Sequence, residues 1–183
     1  MTESIYTALE KRLKTIPELK IIDWFANQYE PSEEEDFVWQ TPAVFLEFAP
    51  CVWLTTGENT IQEALMTLTV HTVTDNNYAD SKRFTATQHL AIQRKVHKAL
   101  HEFTCALSYI DPNVSNQTDH VLLNELTRVG SESDHVLNVI IATKQTYTAQ
   151  VFDLDELQNN NTTANVDVIL NIDQVPKYTL NTN

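Results

Sequence analysis

Apolar residues at three- and four-residue steps open the chain. Ile5, Leu9, Leu13 and Ile16 fall on one stripe, with Lys11, Arg12 and Lys14 between them, so residues 3 to 16 are expected to form an amphipathic helix. Thr2 or Ser4 can cap its start, Glu3 suits the positive end of the helix dipole, and Pro17 stops it. Residues 19 to 25 then read as a short strand, with Ile21, Asp23 and Phe25 on one face and Ile22 and Trp24 on the other. A polar loop over residues 27 to 41 follows, containing Pro31 and the run Glu33-Glu34-Glu35-Asp36. Four like charges in a row repel one another and stay solvated. Residues 43 to 49 form the next strand, with Val44, Leu46 and Phe48 sharing a face and Phe45 and Glu47 opposite.

The longest alternation runs over residues 60 to 74. Met66, Leu68 and Val70 alternate with Thr67, Thr69 and His71, the period of a half-buried strand. At about 3.3 Å per residue it spans some 45 Å, more than a core of this size needs, so part of it is expected to project as a hairpin arm. Residues 81 to 104 are read as the second helix, with Ser81 as cap. Ile92, Val96, Ala99, Leu100 and Phe103 form its apolar stripe, and Arg94, Lys95, Lys98 and Glu102 lie opposite. Asp111-Pro112-Asn113 marks a loop over 110 to 120. Two strands, 121 to 129 and 135 to 151, are expected to be joined by Gly130-Ser131-Glu132-Ser133-Asp134 as a hairpin loop. From residue 153 the composition changes to a linker containing Asn159-Asn160-Asn161-Thr162-Thr163. Beyond it, Val166, Val168, Leu170 and Ile172 alternate with polar residues. An amphipathic strand on a linker must pair with a sheet edge, its own or a neighbour's. The expected fold is α+β: a mostly antiparallel sheet of four to five strands with two helices packed on one face, plus a C-terminal extension strand. The expected division is a domain over 1–152 and a linker with its arm over 153–183.

Composition narrows the chemistry. With 183 residues and 42% hydrophobic content the chain can bury a core. Its formal charge is −13, so nucleic acid and anionic membrane are poor expectations as surface partners. Only two glycines occur, Gly57 and Gly130, so neither a P-loop, nor G-x-G-x-x-G, nor a G-x-S-x-G elbow can be written. Cys51 and Cys105 read as reduced structural thiols. The N-terminus carries no signal-peptide pattern, and no apolar run is long enough for a membrane span, so synthesis in the cytoplasm is expected.

Six histidines invite a search for metal. His97 and His101 are four apart on the second helix, but Lys98 stands where a zincin carries its glutamate base. Both fall off the apolar stripe and read as solvated surface histidines, whereas His89 lies on the stripe and reads as a satisfied, half-buried one. Asp23 and Glu47 sit inside apolar strands but alternate outward, and nothing activates either cysteine. No catalytic residue, no metal and no cofactor is therefore expected. What stands out is strand in excess of one compact sheet, which points to intermolecular pairing.

The order of these elements resembles that of the tail terminator, or tail completion, proteins of tailed bacteriophages. The resemblance rests on the opening helix with Ile5-Tyr6-Thr7-Ala8-Leu9, the strand after Pro17-Glu18-Leu19, and the stretch Thr41-Pro42-Ala43-Val44-Phe45-Leu46-Glu47-Phe48. The long strand over 65 to 75, the helix behind it and the closing hairpin ending Tyr147-Thr148-Ala149-Gln150-Val151-Phe152 complete it. It implies a virion protein of the tail or neck that forms a ring with itself, commonly a hexamer. The ring would cap the tail tube protein, meet the head–tail connector proteins, with the tail sheath as a further partner, and let DNA pass through its bore without specific binding. The function is mechanical, so no catalytic residue carries over. Another neck, connector or ring-forming subunit, including one of a contractile machine, is the nearest alternative, and a small metal-dependent enzyme a more distant one. In such a ring Glu33, Glu34, Glu35 and Asp36 are expected to face the bore and keep DNA from sticking, and Val166, Val168, Leu170 and Ile172 to form an interface with a neighbour.

Overall fold

A computed structural model describes residues 2–29, 40–55, 62–76, 84–110, 117–134, 140–153 and 169–172. The chain begins with helix α1 (Thr2–Leu13), which buries Ile5, Leu9 and Leu13 as the stripe requires. Strands β1 (Ile21–Trp24) and β2 (Ala43–Phe48) pair in parallel, Ile21 opposite Ala43. The two-residue β3 (Leu54–Thr55) leads to the long β4 (Gln62–Asp75). Helix α2 (Ala86–Leu100) follows, then β5 (Cys105–Ile110), β6 (Gln117–Leu123), β7 (Thr127–Asp134), β8 (Ile140–Asp153) and β9 (Ile169–Ile172).

All nine strands join one mostly antiparallel sheet in the order β1-β2-β4-β8-β6-β5-β9, with β3 paired to β4 and β7 to β8. The α+β expectation fits this architecture, but the sheet holds more than the four to five strands expected. Three local reasons account for the difference. Helix α2 stops at Leu100, and the chain reverses through Glu102 at φ 58°, a left-handed conformation that usually announces itself as glycine. Residues 101 to 104, expected as the last turn of the helix, instead lead the chain into β5. The expected strand over 121 to 129 is two strands, because Asn124 donates its backbone N–H to Gln150 and Leu126 to Phe103, turning the chain between β6 and β7. Gly130 lies inside β7, just past a bulge and against Thr146, so Gly130 to Asp134 is strand and not the hairpin loop.

The start of α2 is also displaced from the expected residue 81. Thr85 is the cap, its hydroxyl accepting from the Gln88 N–H while the Gln88 side chain accepts from the Thr85 N–H.

The long β4 does not project as an arm. It pairs with β8 residue for residue from Gln62–Asp153 to Asp75–Ile140, and both ends of this ladder carry buried side chains. On the face beneath the helices, Ala64, Met66, Leu68 and Val70 of β4 meet Tyr147, Ala149 and Val151 of β8, together with Ile92, Val96 and Leu100 of α2. Behind one half of the sheet lies a second, smaller cluster of Tyr29, Ala43, Phe45, Val73, Ile140 and Ala142. The other half of that back face carries Thr67, Thr69, Thr146 and Thr148, all half-buried, in two facing rows.

Leu68→Ala empties a fully buried position on the central ladder and is expected to cost about 2–5 kcal/mol. Leu65→Ala, on the open face at 67% exposure, should change stability by about 0.5 kcal/mol or less. Urea denaturation measures both, and similar shifts for the two variants would contradict this placement.

Candidate functional site

Three groups of side chains carry chemistry. On the back face, His71 of β4 is 1% exposed and lies between two partners. The Tyr29 hydroxyl is 2.5 Å from Nδ1, and Glu47 Oε2 is 2.9 Å from Nε2. An ionised carboxylate only accepts, so Nε2 carries the proton, and in the neutral ring Nδ1 accepts from the Tyr29 hydroxyl. Phe25 stacks on the imidazole with centroids 4.0 Å apart and planes inclined by 11°. The order hydroxyl–imidazole–carboxylate is that of an activated nucleophile. Here Tyr29 is fully buried and the ring is covered, so a substrate has no approach to the hydroxyl. The network instead fastens residues 25 to 29 over the back of the sheet. Glu47 does reach solvent as its alternation predicts, but His71 does not, because this segment lies over it.

On the helix side, His89 is buried as expected for its place on the stripe. Thr74 Oγ1 is 2.9 Å from its Nδ1, and Thr143 Oγ1 is 3.1 Å from its Nε2. His97 departs from the solvated reading. Its Nδ1 is 3.0 Å from the hydroxyl of the fully buried Tyr147, and its ring is 5.1 Å from that of His101. Burial holds the His97 pKa below the ordinary histidine value, and the charges of Arg128 and His101 add to the depression. Burial likewise raises the Tyr147 phenol, and it pushes the Cys105 thiol up to about 12. Among the described residues no group of three or more histidines, cysteines or carboxylates is placed to hold a metal ion, and no helix is long and apolar enough to cross a membrane.

The third group lies where the end of α1 meets α2. A groove of about 390 Å³ runs between Ile16, Pro17 and Ala99, with Arg12, Lys95 and Lys98 at its rim. Arg12 Nε donates to the Ala99 carbonyl at 2.9 Å, and Lys95 is ion-paired with Glu18, whose carboxyl pKa is lowered by that hydrogen bond. The sequence shows these cations only as the solvated side of two helices; their meeting around one groove comes from the packing.

The sequence-predicted assembly residues divide. Glu33, Glu34, Glu35 and Asp36 lie outside the described residues, as do Val166 and Val168. Leu170 and Ile172 are in β9, which pairs antiparallel with β5 of the same chain, Leu170 opposite Leu107 and Ile172 opposite Cys105. The sheet edge that the sequence left open between self and neighbour is, in this chain, its own.

No protein-family model matches this chain, and no curated protein matches it. Among solved structures, a chain from the virion of a native gene transfer agent particle is similar to it. The two are 12% identical with a TM-score of 0.44, and the match covers 81% of this chain and 94% of that one.

Since the unfolded chain binds a proton that folded His97 resists, the part of stability tied to this group falls as pH drops through the ordinary histidine range. His97→Gln should make the decline in unfolding free energy between about pH 7 and pH 5 shallower than in the unmodified protein. Denaturant titrations across that interval decide it, and parallel pH profiles would contradict the assignment.

Proposed function

We propose that this chain is a structural subunit of a phage-like virion, of the tail terminator type, acting as a ring of identical copies. The observation that carries the reading is the order of elements in the fold. Helix α1, β1 after Pro17, β2 within residues 41 to 48, the long β4, helix α2 and the closing β7–β8 hairpin follow one another as the resemblance implies. The sheet is also open. Among the described residues β1, β3, β7 and β9 each pair with a single strand, so the sheet offers unpaired outer edges. A ring repeats one heterologous contact until the rotation closes, and an open-edged subunit suits that construction. In this proposal the ring sits between tail tube and head connector, and DNA passes through it unbound.

Two finer assignments belong to the same reading. Glu33 to Asp36 would line the bore, where fixed negative charge repels the DNA backbone. The C-terminal strand would exchange between copies, each taking from its neighbour the pairing that β9 makes here with β5. The 15 residues between Asp153 and Ile169 can span about 50 Å when extended.

Native mass spectrometry and negative-stain imaging of the full chain should show a ring, commonly of six copies. A monomer at all accessible concentrations would overturn the assembly reading. Deleting residues 154–183 is expected to lower the ring population, and an undisturbed ring would remove the exchange. Replacing Glu33, Glu34 and Glu35 with Gln and Asp36 with Asn should increase DNA retention by assembled rings; unchanged retention would leave the acids without a role in the bore.

A further inference from the structure

Formal charge is distributed very unevenly over this fold. Residues 2–20 and 86–100, which make up the helical layer and its first turn, hold seven of the twelve Lys and Arg. They hold only three of the twenty-five Asp and Glu, namely Glu3, Glu10 and Glu18. That layer is therefore net +4 in a chain of net −13, and everything else is net −17. Helix α2 contains no carboxylate, and its outward stripe at i, i+3, i+4 and i+7 is Ala91, Arg94, Lys95 and Lys98, all exposed. Among the described residues Lys11, Lys20, Arg94 and Lys98 make no ion pair, whereas Lys14 is held by Glu10 and Lys95 by Glu18. Two of these cations, Lys95 and Lys98, together with Arg12, line a groove with an apolar floor, formed where α1 ends against α2.

From these observations we infer that the α1–α2 face is a docking surface for a carboxylate-bearing surface of a second copy of this chain. The inference rests on the assembly reading above and specifies its contact. The complement is at hand in every copy, because the sheet's back presents three carboxylates, Glu47 beside His71, Glu63 beside Gln150 and Glu132 opposite Lys144. Helix layer against sheet back is a front-to-back contact, in which the two patches differ. It generates a ring or a stack and not a closed pair. Opposite potentials over these two surfaces would bring copies together in one orientation and disfavour helix layer against helix layer. Duplex DNA is the competing occupant of a cationic patch. The apolar floor of Ile16, Pro17 and Ala99 and the Glu18 carboxylate within the patch favour a protein surface over a phosphate backbone.

The test uses two variants of the full chain that change the formal charge by the same two units. Lys95→Gln/Lys98→Gln removes cations from the groove, while Thr127→Glu/Leu65→Glu adds carboxylates at exposed positions on the back of the sheet. Circular dichroism establishes that each is folded, and Lys98→Gln alone serves should the double variant not fold. Sedimentation velocity is expected to show the unmodified protein assembling, with assembly weakening as NaCl rises from about 50 to about 500 mM. The lysine variant should self-associate at least about tenfold more weakly, and the glutamate variant no more weakly than the unmodified protein. Equal weakening of both would mean that only total charge matters and would overturn the inference. Assembly of the lysine variant at unmodified strength would overturn it while leaving the ring reading intact, whereas a monomeric unmodified protein would remove both. Binding of a duplex DNA probe that is lost in the lysine variant, with assembly unchanged, would reassign the face to nucleic acid.

Discussion

The fourteen-residue ladder between β4 and β8 is the pairing on which the rest of the molecule is built. The other described strands attach to it directly, through one intermediate strand in the case of β1 and β5, or through two in the case of β9. β2 and β3 pair with β4, β6 and β7 with β8, and α2 lies across both. The helices cover one face of it, and the Phe25–Tyr29 segment covers the other face over the half that ends at Asp75 and Ile140. Pairing continuous over such a length fixes register firmly, since a slip by one residue would turn Leu68, Val70 and Tyr147 away from the helices. The ladder thus holds edges and helices at defined positions.

The two histidines buried against this ladder are satisfied locally. His89 is held between threonines of β4 and β8, so the helix is tied to both strands of the ladder by one imidazole. His71 performs the corresponding task on the opposite face through Tyr29 and Glu47. Each histidine sits where an apolar side chain would pack as tightly but would not select one neighbour. Pairing of this kind costs stability if either partner is lost, and in return defines a single arrangement.

Much of this could be read from residue order. The stripe of α1, the alternation in β2 and β4 and the inward place of His89 follow from spacing alone. Helix α2 was legible in its middle but not at its ends. The Thr85–Gln88 capping box stands in the sequence and marks the true start, whereas the stop at Glu102 depends on a left-handed backbone at a residue that gives no such signal. Strand β5 was hidden by the same omission. The His71 network was not legible, because Tyr29 reaches it from a segment whose polar composition resembles a loop. The cationic helix layer was masked by the acidity of the whole, since net charge is a sum and the fold sorts its terms by layer.

The threonine rows on the open half of the back face have a further consequence. Hydroxyls in facing rows hold water, and their methyl groups are too small to interlock deeply with an opposing sheet. Two such faces brought together would trap solvent instead of excluding it. The molecule can therefore leave this part of the sheet half-exposed without inviting the back-to-back stacking of like sheets that ends in fibres. Copies crowded side by side are then sorted by edges and charges and not by like faces meeting.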